Sequence, residues 1–104
     1  MIIEITKYKP LVHITHKELI SASQKFEKNY CSKCTGLIMR HFLQTDDGYM
    51  DIFYWKSKTN AEKVKATFMQ NPDALEFAKH LDPKTITMHN HKVLSTCVFD
   101  FQSL

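Results

Sequence analysis

Glycine is scarce: the chain of 104 residues has only Gly36 and Gly48. That excludes a Gly-rich phosphate loop and a nucleophile elbow of the GxSxG kind, so nucleotide and α/β-hydrolase chemistry are set aside. Cysteine is also sparse. Three thiols, an odd number, do not make a disulfide framework and fit a reducing compartment. No apolar run approaches the length of a membrane span, and the first residues lack the pattern of a signal peptide. The expected location is therefore the cytoplasm. Basic charge is mild: a net charge of +3 comes from 14 basic and 11 acidic residues. The lysines are scattered along predicted exposed helix faces and read as solvation, not as a nucleic-acid surface. There is no low-complexity stretch and no linker.

What is present is a chain of ordinary composition, 43% hydrophobic and 24% charged, long enough for one domain with a substantial core. Its clearest feature runs from Gly36 to Ser57, two apolar runs joined by Asp47-Gly48, and it carries the single tryptophan. Asp-Gly is a strong signal for a two-residue hairpin turn with positive φ. That turn predicts Asp46 opposite Tyr49, Phe42 opposite Phe53, Arg40 opposite Trp55 and Gln44 opposite Asp51. One face then holds Ile38, Arg40, Phe42, Gln44, Asp51, Phe53 and Trp55. The other holds Met39, His41, Leu43, Met50, Ile52 and Tyr54. Both faces are largely apolar, which predicts a sheet covered on both sides.

The rest of the chain reads in order. Ile2 to Tyr8 is β-branched and predicts a strand, ended by Pro10. Thr15 to Glu18 is a capping box for a helix whose stripe is Leu19, Ala22, Phe26 and Tyr30. A second box, Thr59 to Glu62, opens a helix with Ala61, Val64 and Phe68 on one side. Asn71-Pro72 starts a third, short helix carrying Leu75, Ala78 and Leu81. Asp82-Pro83 ends it, and residues 85 to 94 read as the last strand. The order is β-α-β-β-α(α)-β, a ferredoxin-like split βαβ with an antiparallel sheet in an α+β domain over residues 1–94. Helices cover one face, and a second copy of the chain is the economical cover for the other. Residues 95–104 keep Val98, Phe99, Phe101 and Leu104, so this tail is expected to dock, as an extra strand on the partner subunit.

The residues Gly36 to Arg40, Asp47-Gly48, Asp51 to Ser57, Ala61, Phe68-Met69, and the stretch from Asn71 to Pro83 resemble the antibiotic biosynthesis monooxygenase-like proteins of the dimeric α+β barrel superfamily. The resemblance spans nearly the whole chain as a pattern of elements. It implies a homodimer with sheets packed face to face, and a pocket between sheet and helices in each subunit. Members of that family include cofactor-free oxygenases of polycyclic aromatic substrates, haem-degrading enzymes and many proteins of unknown activity; a non-catalytic ligand-binding or interaction dimer of the same fold is the alternative reading. In haem-degrading members a histidine follows the tryptophan by about ten residues; here Lys65 and Ala66 stand there. Their first-strand asparagine is replaced by Thr6 and Lys7. Haem degradation is therefore set aside.

Two readings of the hairpin follow. In one, Trp55 is core, with Arg40 stacked on it as a cation–π pair. In the other, Trp55, Phe53, Phe42 and Phe68 wall a pocket for a small aromatic ligand. Asp51 then serves as a base with raised pKa, and Arg40 steadies the anion. His91, which shares a strand face with His89, is a further candidate base near neutral pH. His89 and His91 with His80 or His41 have the makings of a metal site, yet no carboxylate or cysteine recurs at ligand spacing, so no metal and no cofactor are predicted. Cys31-Ser-Lys-Cys34 follows a helix where redox pairs precede one, and reads as structural.

Overall fold

The run from Ile2 to Tyr8 forms β1 over the predicted span. The computed structural model, which describes residues 1–100, sets this strand inside the sheet. Two strands flank it, both antiparallel: β3 (Tyr49–Trp55) and β4 (Thr87–Lys92). β2 (Leu37–Gln44) pairs with β3, giving the order β2-β3-β1-β4. The helices are α1 (His16–Asn29), α2 (Lys58–Phe68) and α3 (Pro72–Ala78). Among the described residues this is the ferredoxin-like split βαβ arrangement that the element order predicts. Among the described residues no helix is long and apolar enough to cross a membrane.

Local chemistry explains most of the boundaries. Thr15 and Glu18 make both bonds of the capping box, each at 3.1 Å. The stripe Leu19, Ala22, Phe26 and Tyr30 is buried as its spacing predicts, and Ser23 is buried with it. α2 starts earlier than the Thr59 box predicts. The bond from Lys56 N to Gly36 O, 2.8 Å, fixes the chain as far as Lys56. Ser57 is the first hydroxyl beyond it, and its Oγ takes the Asn60 N–H at 3.1 Å. Asn71 caps α3 as expected, accepting from Asp73 N and Ala74 N. The buried face of α3 is Ala74 and Phe77, continuing to Leu81, whereas Leu75 is exposed and Ala78 half-buried. Phe77 decides the rotation, because its ring stacks on Phe26 at 4.6 Å. β4 is shorter than predicted because Thr85 is drawn into a turn capped by Asp82, where its hydroxyl accepts from Lys9 N at 2.9 Å.

The hairpin differs from its sequence reading in register. Gln44, not Asp46, is the last residue paired with Tyr49, and the loop is Thr45 to Gly48, closed by Thr45 N to Gly48 O at 2.9 Å. Neither Asp47 nor Gly48 has positive φ, so the turn is not the two-residue type. Phe42 therefore faces Asp51, and Arg40 faces Phe53. The shift is two residues, so the side chains keep their faces. One exception is a bulge between Leu37 and Met39, which puts Leu37 opposite Trp55 and leaves Ile38 exposed. Among the described residues Gly36 is the one position where φ is positive, at +83°, and a Cβ there would overlap the side chain of Asn60.

The registers sort the sheet into two surfaces. The helix-covered surface carries Ile2, Glu4, Thr6 and Tyr8 from β1, Tyr49, Asp51, Phe53 and Trp55 from β3, and Arg40 and Phe42 from β2. Tyr8, Leu19, Phe26, Tyr49 and Phe77 form its packed centre. The opposite surface carries Ile3, Ile5, Met50, Ile52 and Tyr54, all half-buried, with Met39 and Leu43 exposed. Beyond β4, Leu94, Val98 and Phe99 are exposed and residues 95–100 form no strand. Phe101 and Leu104 lie outside the described residues.

Candidate functional site

The interior between sheet and helices is polar where a small domain would usually be oily. Asp51 sits midway along β3, paired with Thr6 of β1 and Phe42 of β2. Its Oδ1 accepts from Arg40 Nη2 at 2.7 Å and from the Tyr8 hydroxyl at 3.0 Å. Arg40 Nη1 donates to Ser23 Oγ at 2.7 Å and to Glu27 Oε1 at 2.9 Å. The side chains of Asp51 and Arg40 are 4% and 3% exposed, while that of Glu27 is half in water. This is an ion pair taken out of solvent, with a tether to the surface through Glu27.

Four phenyl rings surround the guanidinium. Phe26, Phe42, Phe53 and Phe77 have their centroids 5.0 to 5.8 Å from Arg40 Cζ, within cation–π range. Trp55 is not among them. The expected Arg40–Trp55 stack fails because the two-residue shift puts Phe53 where Trp55 was placed. Burial pushes the Asp51 carboxyl up to about 6, against the opposing pull of Arg40 and the Tyr8 hydroxyl. Burial, followed by the neighbouring Asp51 charge, holds the Tyr8 phenol well above its usual range. Tyr8 therefore remains a hydrogen-bond donor at any ordinary pH.

A second polar group lies further along the same surface. Trp55, 4% exposed, points its indole N–H at Glu4 Oε1, 3.4 Å away. Glu4 is itself buried, and desolvation raises its pKa against the opposing influence of the Trp55 hydrogen bond and Lys65. Three buried polar atoms of this interior have no hydrogen-bond partner among the described residues: Thr6 Oγ1, Tyr30 Oη and Arg40 Nε. Buried polar atoms are almost always paired, with protein or with ordered water. Glu4 and Thr6 were legible as a signal: strand alternation in IIEITKY puts both on the face of Ile2 and Tyr8. The strand reading alone did not single them out.

The other sequence candidates fall elsewhere. Phe42 and Phe53 flank Arg40, with ring centroids 5.2 and 5.8 Å from its Cζ. Phe68 lies edge-on to Tyr30 and Phe26, at 5.4 and 6.3 Å. His91 pairs with Ile3, and His89 with Ile5, on β4. Both therefore belong to the surface away from the helices, and the structure does not bring His91 together with Asp51 and Arg40. His41 lies on that same surface, against Tyr54, while His80 bonds back to its own helix at Glu76 O. No group of three ligating side chains comes together among the described residues. Cys31 and Cys34 are half-buried; burial pushes the Cys31 thiol up to about 12 and raises Cys34 as well. Such thiols are poor nucleophiles.

A groove of about 470 Å³ opens between the end of α1 and α2, lined in part by Tyr30, Cys34, Asn60, Lys63, Val64 and Asn71. Tyr30 belongs both to the core and to the groove lining, whereas Asp51, Arg40, Phe42, Phe53 and Trp55 do not line the groove.

No family model matches the sequence, and no curated protein matches it either. Solved structures do. SnoaB, a cofactor-independent oxygenase from Streptomyces nogalater, aligns with a TM-score of 0.71 at 14% identity over 91% of this chain and 94% of its own. A protein named as a candidate antibiotic biosynthesis monooxygenase from Nitrosomonas europaea gives 0.68 at 14% identity, covering 91% of this chain and 100% of its own. A dimeric ferredoxin-like protein of unknown function from Jannaschia gives 0.66 at 9% identity, over 88% and 98%. The class defined here is the ferredoxin-like α+β domain. Within it, this chain has the fold of the antibiotic biosynthesis monooxygenase-like proteins, as the sequence resemblance implied.

Proposed function

We propose that the protein is a small-molecule enzyme of the cofactor-independent oxygenase type, acting on a small hydroxylated aromatic compound held between sheet and helices. The observation that carries this reading is the Asp51 carboxylate. It is buried, its pKa is lifted to about 6, and both of its hydrogen bonds fall on Oδ1. Oδ2 is the oxygen available to take a proton from a phenol. A base poised near neutrality is well matched to that step. Arg40, fixed among four rings, supplies the positive charge beside the phenolate that forms. Phe42, Phe53 and Trp55 offer flat apolar walls. Making the substrate anion is the step the protein assists, and the electron-rich anion is what reacts with oxygen.

The test is oxygen uptake with a panel of naphthols and hydroquinones. Asp51→Asn keeps the shape of the side chain and removes the base. It is expected to lower turnover by about 10²- to 10⁴-fold with the circular dichroism spectrum unchanged. Undiminished turnover in that variant would exclude Asp51 as the base.

A second reading, a non-catalytic binding or interaction dimer, has one observation in its favour. The ion pair satisfies itself, and Arg40 fills the space among its four rings. We propose a homodimer in either case. Its interface is the apolar surface of Ile5, Ile52 and Tyr54, and the tail 95–104 docks on the partner. Solved relatives of this fold are described as dimeric.

A further inference from the structure

Arg40 serves two carboxylates at once, and only one of them has a place in the mechanism above. Resting on the reading of Asp51 as the base, we infer that Glu27 is a positioning residue: it ties one arm of the Arg40 guanidinium to α1, so that Arg40 grips Asp51 at a single point and leaves Oδ2 open.

The arrangement is a fork with one prong tied back. A guanidinium presents five N–H donors in a fixed plane, and it frequently holds a carboxylate through two parallel bonds. Arg40 makes only one such bond to Asp51, from Nη2 to Oδ1 at 2.7 Å. Its Nη1 is turned to α1, where it meets Ser23 Oγ at 2.7 Å and Glu27 Oε1 at 2.9 Å. Ser23 and Glu27 stand four residues apart, on one face of the helix. Two groups of the pair are left over. Arg40 Nε, whose N–H runs parallel to one of those on Nη2, is buried without a partner. Both hydrogen bonds that Asp51 accepts fall on Oδ1. A two-point pairing would consume that spare donor and the spare Oδ2, and the pull from α1 on the opposite arm accounts for its absence. Of the two anchors, Ser23 is neutral and buried, while Glu27 carries charge and is half in water. Glu27 can therefore be replaced without opening the core. The titratable and charged groups facing Asp51 are Arg40 of β2, Tyr8 of β1, Glu27 of α1 and Cys31 just beyond α1. Without Glu27, the Arg40 charge acts on Asp51 alone, and the carboxylate becomes a weaker base with its second oxygen engaged.

The experiment uses the folded protein without ligand. Carbon-13 NMR follows the Asp51 carboxyl against pH, and the Arg40 Nε–H resonance is recorded in the same samples. Wild-type Asp51 is expected to titrate at about 6. In Glu27→Ala the midpoint should fall by about 1, the lower end of what an opposite charge does to a carboxylate, because Glu27 is partly screened by water. The Nε–H should move downfield as it bonds Oδ2. Glu27→Gln, which keeps an acceptor for Nη1 but not the charge, should lie between wild type and Glu27→Ala. An unchanged or raised midpoint in Glu27→Ala overturns the inference. So does a lowered midpoint with the Nε–H unmoved, because Asp51 has then become hydrated instead of gripped. These readouts are separate from the role of Asp51 as a base, which oxygen uptake by Asp51→Asn decides.

Discussion

Replacing Arg40 with methionine is expected to lower the unfolding free energy by about 3–5 kcal/mol, the usual cost of removing one member of a buried ion pair. The loss has a definite origin. Methionine fills much of the space among Phe26, Phe42, Phe53 and Phe77, so packing changes little. What remains is the Asp51 carboxylate, 4% exposed and held only by Tyr8. The double variant Arg40→Met, Asp51→Leu should regain most of the loss, because an apolar pair of similar volume is about as stable as a buried ion pair. Urea denaturation of the three proteins at neutral pH measures this. A single variant that costs under about 1 kcal/mol would mean the pair is hydrated and not buried.

The same carboxylate gives stability a pH signature. Asp51 has an ordinary value of 3.8 and a folded value of about 6. Between these the folded chain binds more protons than the unfolded chain, so stability falls as pH rises. The contribution of Asp51 is fully present below pH 4 and is lost as the pH rises through about 6. Asp51→Asn should flatten this part of the curve.

An aspartate at Ile52 is expected to turn the proposed homodimer into a monomer at micromolar concentration. Ile52 is in the middle of the open sheet surface, paired with Ile5 and His41. A two-fold axis through that surface brings the substituted position close to its own copy. Like charges facing each other in an interface cost several kcal/mol, which weakens dimerisation by about a hundredfold or more. Ile52 is already half-exposed in the single chain, so the subunit should still fold. Sedimentation of wild type and variant decides. A wild-type protein that sediments as a monomer at micromolar concentration would remove the homodimer from the account.

What the sequence showed and what it hid divide along physical lines. The caps at Thr15 and Asn71 depend on neighbours a few residues away, and both were legible. So was the order of elements. The hairpin register was not, because Gly48 has a different role from the one its Asp-Gly context suggests. A Cβ at Gly48 would come within 2.7 Å of the Tyr8 carbonyl oxygen. The glycine permits close approach of β1, a strand forty residues away, and not a positive φ. The two-residue error left the faces unchanged, which is why Arg40 and Asp51 were correctly brought together while their opposite partners were not. The ring set around Arg40 draws on α1, β2, β3 and α3. No local pattern predicts such a convergence. Phe77 joins it because α3 turns about one position from the stripe that its leucine spacing suggested. Trp55, prominent in the sequence, ends at one side of the site beside Glu4, and the ion pair that defines the centre lies two rungs away.

The central claim is that the polar interior between sheet and helices receives a hydroxylated aromatic molecule. Trp55 is the single tryptophan and borders that interior, so its emission is the direct reporter. Titration of the folded protein with naphthols and hydroquinones is predicted to quench Trp55 fluorescence saturably, with at least one compound losing affinity about tenfold or more in Asp51→Leu, the loss of a hydrogen bond to a charged group. If every compound leaves the emission unchanged, or quenches linearly as a free indole would be quenched, the interior is a closed core and the account is wrong.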